Sequence, residues 1–243
     1  MPFSASDWKD VVPVPQDDGV QPLAPIAYAQ EYTEAMDLFR AVLLSGEKSA
    51  RVLELTAFII EANSSHYTAW KYRLDTVRAL GSPLEDELKF VEEVAFETPK
   101  SYQLWPYRQA ISDQLNQPQR EIDFVGRILA LDSKNYHAWA YRQHIVSKYD
   151  LWDSELEYID GLLRDDVRNN SAWNQRFFVV SRRPAEFTAA DLDAEVAYAL
   201  SHIQKAPHNE SAWNYLRGQA SHCAVLLAAR AHLLTVAAES CLS

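Results

Sequence analysis

Glycine is scarce in this chain, six in 243 residues, and cysteine scarcer still, at two. So few glycines leave little material for the tight turns of β-hairpins, which points to a helical protein. Cys223 and Cys241 form neither a CxxC pair nor a disulfide framework, so a reducing compartment is expected. No apolar run approaches the roughly 18 residues of a membrane-spanning helix. The start, Met1-Pro2-Phe3-Ser4, lacks the basic and then apolar pattern of a signal peptide. Positive charge is also short, with 23 Lys and Arg against 34 Asp and Glu and a net charge of −11. A nucleic-acid backbone requires a basic surface, so nucleic acid is excluded as the main ligand. These absences predict a cytoplasmic protein without a membrane span.

Familiar catalytic patterns are missing too. The seven histidines show no metal-ligand spacing with cysteine or with each other. No glycine-rich phosphate loop and no nucleophile elbow occur. Asp165-Asp166 does not continue into an aspartate-rich diphosphate motif and reads as the polar end of a helix. An enzyme acting alone is therefore not expected.

What is present is a repeat. Trp70, Trp105, Trp139, Trp173 and Trp213 follow one another at 35, 34, 34 and 40 residues. Arg73, Arg108, Arg142 and Arg176 each stand three residues after a tryptophan. A fixed period of this length marks stacked supersecondary units. The expected fold is all-α: a right-handed, crescent-shaped solenoid of antiparallel helical hairpins, an alpha-alpha superhelix. Each hairpin has an amphipathic first helix and a second helix bearing the tryptophan. The indoles fill the space between units, and the arginines, on the same helical face, stack on rings or bond an adjacent unit. Ser82-Pro83-Leu84-Glu85 and Thr188 with Asp191 read as capping boxes. The stripe Leu192, Val196, Leu200 and Ile203 reads as the buried face of the helix near 188–205. The expected division is a proline-rich disordered leader over 1–30, the repeat solenoid over 31–218, and an atypical Ala/Leu-rich tail over 219–243.

Equivalent positions of a solenoid form rows. Five residues before the tryptophans stand Ser65, Lys100, Lys134, Arg168 and His208, at the N-terminal ends of helices. Cations there, beside helix N-termini that already favour anions, suit a phosphate, or else form a row of solvated charges. The adjoining rows hold Tyr67, Tyr102 and Tyr136, then Gln103 and His137.

The phrases Lys100-Ser101-Tyr102-Gln103-Leu104-Trp105, Lys134-Asn135-Tyr136-His137-Ala138-Trp139-Ala140-Tyr141-Arg142 and Asp166-Val167-Arg168-Asn169-Asn170-Ser171-Ala172-Trp173 carry a resemblance, as does Pro207-His208-Asn209-Glu210-Ser211-Ala212-Trp213. Together with Phe39-Arg40-Ala41-Val42, they resemble the alpha subunit shared by protein farnesyltransferase and protein geranylgeranyltransferase type I. The resemblance runs from about Glu31 to Gly218. It implies a chain active only as a heterodimer with a beta subunit. The heterodimer transfers a farnesyl or geranylgeranyl group from its diphosphate to the cysteine of C-terminal CaaX proteins. It implies no cofactor on this chain, zinc on the beta subunit, and magnesium in the holoenzyme. It assigns Lys100 to the isoprenoid diphosphate, Tyr102 to the same region as a second catalytic residue, and Gln103 to the carboxylate of the substrate peptide. Asn135, Tyr136, His137 and Tyr67 match residues at the active-site mouth.

Two features depart from that family. Pro106 removes an N–H and is expected to loosen the turn carrying Tyr102 and Gln103. After Gly218 the match stops, and Ala224-Val225-Leu226-Leu227-Ala228-Ala229 leads to Ser240-Cys241-Leu242-Ser243. A stack lacking its terminal cap is expected to be less stable. Other readings are a tetratricopeptide-like adaptor without catalysis, the alpha subunit of the Rab-specific geranylgeranyltransferase, and a truncated inactive isoform.

Overall fold

A computed structural model describes residues 7–24, 26–184 and 187–221. The expectations for the tail, Cys223, Cys241, His222 and His232 lie outside the described residues. The described residues are helical with no strand, so the all-α expectation is met. None of the described helices is long and apolar enough to cross a membrane. The chain divides into two units, Met1–Phe124 and Val125–Ser243.

The first unit holds α1 (Gln30–Ser45), α2 (Ala50–Ala62), α3 (Tyr67–Leu80), α4 (Leu84–Glu97) and α5 (Leu104–Leu115). Helix α6 (Pro118–Leu131) has residues in both units. The second unit continues with α7 (Tyr136–Lys148), α8 (Trp152–Asp165), α9 (Asn170–Arg182) and α10 (Ala189–Lys205), then a helical segment over 210–221. Within the units α2 packs on α3, α4 on α5 and α8 on α9, the hairpins that the repeat predicts.

One turn recurs between the helices of the hairpins. The N–H groups of His66, Ser101, Asn135, Asn169 and Asn209 donate to the carbonyls of Asn63, Thr98, Asp132, Asp166 and Ala206, each at 3.0 Å. The next helix then starts on a side-chain cap in most repeats. His66 Nδ1 accepts from the Ala69 N–H (3.2 Å), and Asn135 Oδ1 from that of Ala138 (3.0 Å). Asn169 Oδ1 accepts from Ser171 and Ala172 (3.0 and 3.3 Å). Such caps satisfy N–H groups that have no helical partner.

Each anchoring indole reaches back to the same turn. The Nε1–H groups of Trp70, Trp105, Trp139, Trp173 and Trp213 donate to the carbonyls of Ser64, Pro99, Ser133, Val167 and Pro207, at 2.8–3.0 Å. Two of those carbonyls also accept from the following repeat. Ser101 Oγ donates to Ser64 O at 2.6 Å in the first unit, and Asn209 Nδ2 to Val167 O at 2.7 Å in the second. These bonds fix the turns of neighbouring hairpins in register. Trp70, Trp105, Trp139 and Trp173 are buried, but Trp213, expected to fill an inter-unit groove like them, is 40% exposed.

The arginines are buried in a repeated arrangement. Arg73 pairs with Glu87, Arg108 with Glu121, Arg142 with Glu155 and Arg176 with Glu195, at 2.6–2.9 Å. Each guanidinium also covers a ring three residues beyond its glutamate, Phe90, Phe124, Tyr158 or Tyr198, at 3.4–3.8 Å from the centroid. A residue two places after the next tryptophan completes three of these sets. Tyr107 donates to Glu87 (2.6 Å), Gln175 to Glu155 (2.8 Å) and Tyr215 to Glu195 (2.6 Å). Burial is the main cause that pushes the hydroxyl pKa of Tyr107 and Tyr215 far up, so both stay neutral donors. The expectation that the arginines stack and bond is met, with the glutamates as their partners.

Three local expectations fail. The segment read as a disordered leader is held against α1 and α2 over residues 7–14. Trp8 is 6% exposed beneath the Arg51 guanidinium, and Arg51 donates to Asp10 (2.7 and 2.9 Å), Glu47 (2.7 and 2.8 Å) and the Asp7 carbonyl. Val14 N–H bonds Asp37 O at 3.0 Å, and Arg40 Nε bonds Val14 O at 2.7 Å. Residues 15–24 are exposed throughout. The Ser82 capping box does not form: α4 starts at Leu84 with no side-chain cap, because Pro83 occupies the cap position itself. On α10 the buried residues are Ala199, His202 and Ile203, while Leu200 is exposed. The Thr188–Asp191 capping box forms as expected.

Candidate functional site

The recurrent turn decides where the expected site residues stand. The row five places before the tryptophans occupies that turn, and Ser65, Lys100, Lys134, Arg168 and His208 are all exposed. The turn is tied internally wherever an Asp or Asn begins it. Asn63, Asp132 and Asp166 accept from the N–H groups of Ser65, Lys134 and Arg168, at 3.1, 3.1 and 2.9 Å. The side chains of this row thus leave a fixed backbone.

In the first unit the Ser101–Ser64 bond brings together the turn before Tyr67 and the turn holding Lys100. Tyr67 and Tyr102 are each 73% exposed. Gln103 is half-buried at the cap of α5, with φ −79° and ψ −29°. Helix α5 begins one residue before its tryptophan, whereas α3, α7 and α9 begin three before. Pro106 accounts for the delay: it has no N–H to donate to the Tyr102 carbonyl four residues back. The expected loosening at Tyr102 and Gln103 is therefore present as a shortened helix start.

In the second unit Tyr136 is 75% exposed, and His137 is half-buried with its ring 5.5 Å from that of Tyr136. Burial holds the His137 pKa below the ordinary histidine value. Asn135 differs from the other expected site residues. It is 2% exposed and its Oδ1 accepts from the Ala138 N–H, so it caps α7, whose first residues are Tyr136 and His137.

The sequence reading missed the four glutamates and their rings. The signal was available in Glu87-Leu88-Lys89-Phe90, Glu121-Ile122-Asp123-Phe124, Glu155-Leu156-Glu157-Tyr158 and Glu195-Val196-Ala197-Tyr198, a recurring Glu-x-x-aromatic phrase. Among the described residues no group of three or more His, Cys, Asp or Glu side chains is placed to hold a metal ion.

The family described as "Protein prenyltransferase alpha subunit repeat" matches residues 49–80, 84–115, 118–149, 152–183 and 192–223. The chain belongs to this family. Its repeats coincide with the hairpins, from α2–α3 through α8–α9 and on to α10 with the helical segment after it. The chain is similar to the protein farnesyltransferase/geranylgeranyltransferase type-1 subunit alpha of Solanum lycopersicum. The two are 49% identical over 94 residues, 39% of this chain and 27% of that protein. The Schizosaccharomyces pombe protein of the same name is 41% identical over 106 residues, covering 44% of this chain and 36% of its own length. The matched stretches thus span well under half of those relatives. A solved structure, "Candida albicans protein geranylgeranyltransferase-I complexed with GGPP", superposes with a TM-score of 0.85 at 36% identity. The superposition covers 90% of this chain and 76% of that one.

Proposed function

We propose that this chain is the alpha subunit of a heterodimeric CaaX prenyltransferase. With a beta subunit it transfers farnesyl or geranylgeranyl from the diphosphate to the cysteine thiol of C-terminal CaaX proteins. The observation that carries the reading is the pair of exposed turns in the first unit that the Ser101–Ser64 bond joins, one holding Lys100 and leading to Tyr102, the other leading to Tyr67, in a chain whose relatives are named as type-1 alpha subunits.

In this reading Lys100 faces the isoprenoid diphosphate. As the carbon–oxygen bond to the lipid breaks, negative charge grows on the departing diphosphate, and a fixed ammonium lowers the barrier by stabilising it. Tyr102 contributes a hydroxyl to the same leaving group. The Gln103 amide holds the carboxylate of the substrate peptide, which sets the distance from the chain end to the reacting cysteine. Tyr67, Tyr136 and His137 line the mouth, and Asn135 acts by fixing the start of α7. Zinc, which favours the thiolate form of a coordinated cysteine, is assigned to the beta subunit, and magnesium to the diphosphate. This chain's own part is to bind, orient and neutralise charge, in a cytoplasmic setting.

The test is co-expression with farnesyltransferase and geranylgeranyltransferase type I beta subunits. Joint purification with prenyl transfer to a CaaX peptide is the expected result. A chain that purifies alone in both cases is an adaptor without catalysis, and a stable but inert pair marks an inactive isoform.

A further inference from the structure

The turn that carries Lys100 is held differently from its counterparts. Four places before the tryptophan, His66, Asn135 and Asn169 cap α3, α7 and α9 with their side chains. Ser101 holds that place before α5, yet α5 has no side-chain cap and starts only at Leu104. The Ser101 side chain turns to the preceding hairpin instead. The residue is 6% exposed, and its Oγ donates to the Ser64 carbonyl at 2.6 Å. In the second unit Asn209 does both jobs from the same place. Its Oδ1 accepts from the Ser211 N–H at 3.2 Å, while its Nδ2 donates to the Val167 carbonyl at 2.7 Å. An asparagine has an acceptor and two donor hydrogens to divide in this way. A serine hydroxyl has one hydrogen, and here it goes to the neighbouring turn.

The anchor that Ser101 reaches belongs to the core. Ser64 O also accepts from Trp70 Nε1–H at 2.9 Å, and the Trp70 indole is 2% exposed with its ring 4.8 Å from that of Tyr107. Ser101 is thus held twice, its N–H donating to Thr98 O at 3.0 Å and its hydroxyl to Ser64 O. Lys100 precedes it and Tyr102 follows it, and both are exposed, as is Tyr67 three residues beyond Ser64. Residues 101–103 lie outside α5, so the Ser101 hydroxyl ties this stretch to the core through Ser64 and Trp70.

We propose that Ser101 is a positioning residue for prenyl transfer: its hydroxyl, bonded to the Ser64 carbonyl, sets where the Lys100 ammonium meets the departing diphosphate. The assignment rests on the alpha-subunit reading of the chain. Buried and with its hydrogen committed, Ser101 acts through Lys100 and not on the substrate. A charge speeds the reaction only when it is held where negative charge develops, and a displacement of about 1 Å can cost about a hundredfold in rate. Ser101→Ala leaves Ser64 O with its bond from Trp70, so no buried polar group is orphaned and the fold survives.

The experiment is a double-variant cycle in the heterodimer formed with a beta subunit. Single-turnover prenylation of a CaaX peptide is measured for the parent, Ser101→Ala, Lys100→Ala and the two combined, with the yield of heterodimer alongside. Ser101→Ala is expected to pair with the beta subunit and to transfer the lipid about tenfold more slowly than the parent. In the Lys100→Ala background the same substitution should slow transfer by less than about twofold, because the group it positions is gone. A residue with only a structural role would slow both backgrounds by the same factor. Equal factors in the two backgrounds, or a Ser101→Ala chain that no longer forms the heterodimer, overturns the assignment. An active parent indifferent to Ser101→Ala removes the assignment alone, whereas a parent heterodimer without transfer activity overturns the alpha-subunit reading and the assignment with it.

Discussion

Arg108 and Glu121 meet through two hydrogen bonds, Nε to Oε2 at 2.7 Å and Nη2 to Oε1 at 2.9 Å, with the arginine wholly buried. The Phe124 ring covers the guanidinium at 3.4 Å, and a Glu92 carboxylate oxygen lies 3.8 Å from it. Burying both charges costs desolvation that the pair just offsets, so the pair adds little net stability. Breaking it is another matter, because the surviving charge stays buried. Glu121→Ala is expected to lower unfolding free energy by about 3–5 kcal/mol. The double replacement Arg108→Met with Glu121→Leu restores most of that loss. Urea denaturation with matched m-values checks both, and a double variant no better than the single one counts against this account.

The tryptophans are alike in sequence and unlike in burial. Trp173 is 1% exposed and touches Tyr198, His202 and Tyr215, whereas Trp213 is 40% exposed. Trp173→Ala is expected to cost about 3–5 kcal/mol. Trp213→Ala removes less buried apolar area and is expected to cost under roughly half as much. Equal shifts in denaturation midpoint would show that the exposed ring is an anchor like the others.

How far the sequence reads depends on the range of the interaction. The period of Trp-x-x-Arg survives in one dimension, so the hairpins, their order and the Thr188–Asp191 box are legible. Arg108 and Glu121 lie on different helices, and a glutamate on a helix reads as a solvated charge until its partner is placed beside it. Trp8 is obscured in the same way: the prolines around it suggest an unfolded segment, and only Arg51, 43 residues on, reveals its partner. For the site, Lys100 and the tyrosines are legible as rows because solenoid positions repeat. The capping role of Asn135 is not legible, because a capping asparagine and a ligand-binding one look the same in a string of letters.

His66 gives α3 a cap that titrates, where Asn135 and Asn169 cannot. Its Nδ1 accepts the Ala69 N–H, so the cap exists only while that nitrogen is unprotonated. Burial lowers its pKa from the usual 6.5, so the unfolded chain takes up the proton at higher pH than the folded one. Stability therefore falls as pH drops below about 6.5, and goes on falling until the folded group itself protonates. His137, lowered by burial, adds a change of the same sign. His66→Asn keeps a cap without a titration, so denaturation at pH 7 and pH 5 should show a smaller loss in the variant. An unchanged loss removes His66 from the explanation.

Lys100 leaves a turn whose backbone is set by bonds that do not use its side chain, including the Ser101 N–H to Thr98 O. Lys100→Ala should therefore leave the subunit folded and its association with a beta subunit intact. Prenyl transfer should fall by about a hundredfold, with partial recovery in Lys100→Arg. Turnover equal to that of the parent protein excludes the lysine from the reaction.

The N-terminal segment makes its own claim. Residues 7–14 lie on α1 and α2 through the Trp8 ring, the Arg51 bonds to Asp10 and Glu47, and the backbone bond of Val14 to Asp37. The Asp10 and Glu47 pKa values are both lowered, chiefly by hydrogen bonds from Arg51, which ties them to one guanidinium. Trp8→Ala and Arg51→Ala should each speed amide hydrogen exchange in α1 and α2, and removing residues 1–14 should do so more strongly. Amides of α8 and α9, in the other unit, serve as the control and should keep their protection. Exchange in α1 that does not respond to any of the three changes would mean that the segment rests on α1 and α2 without stabilising them.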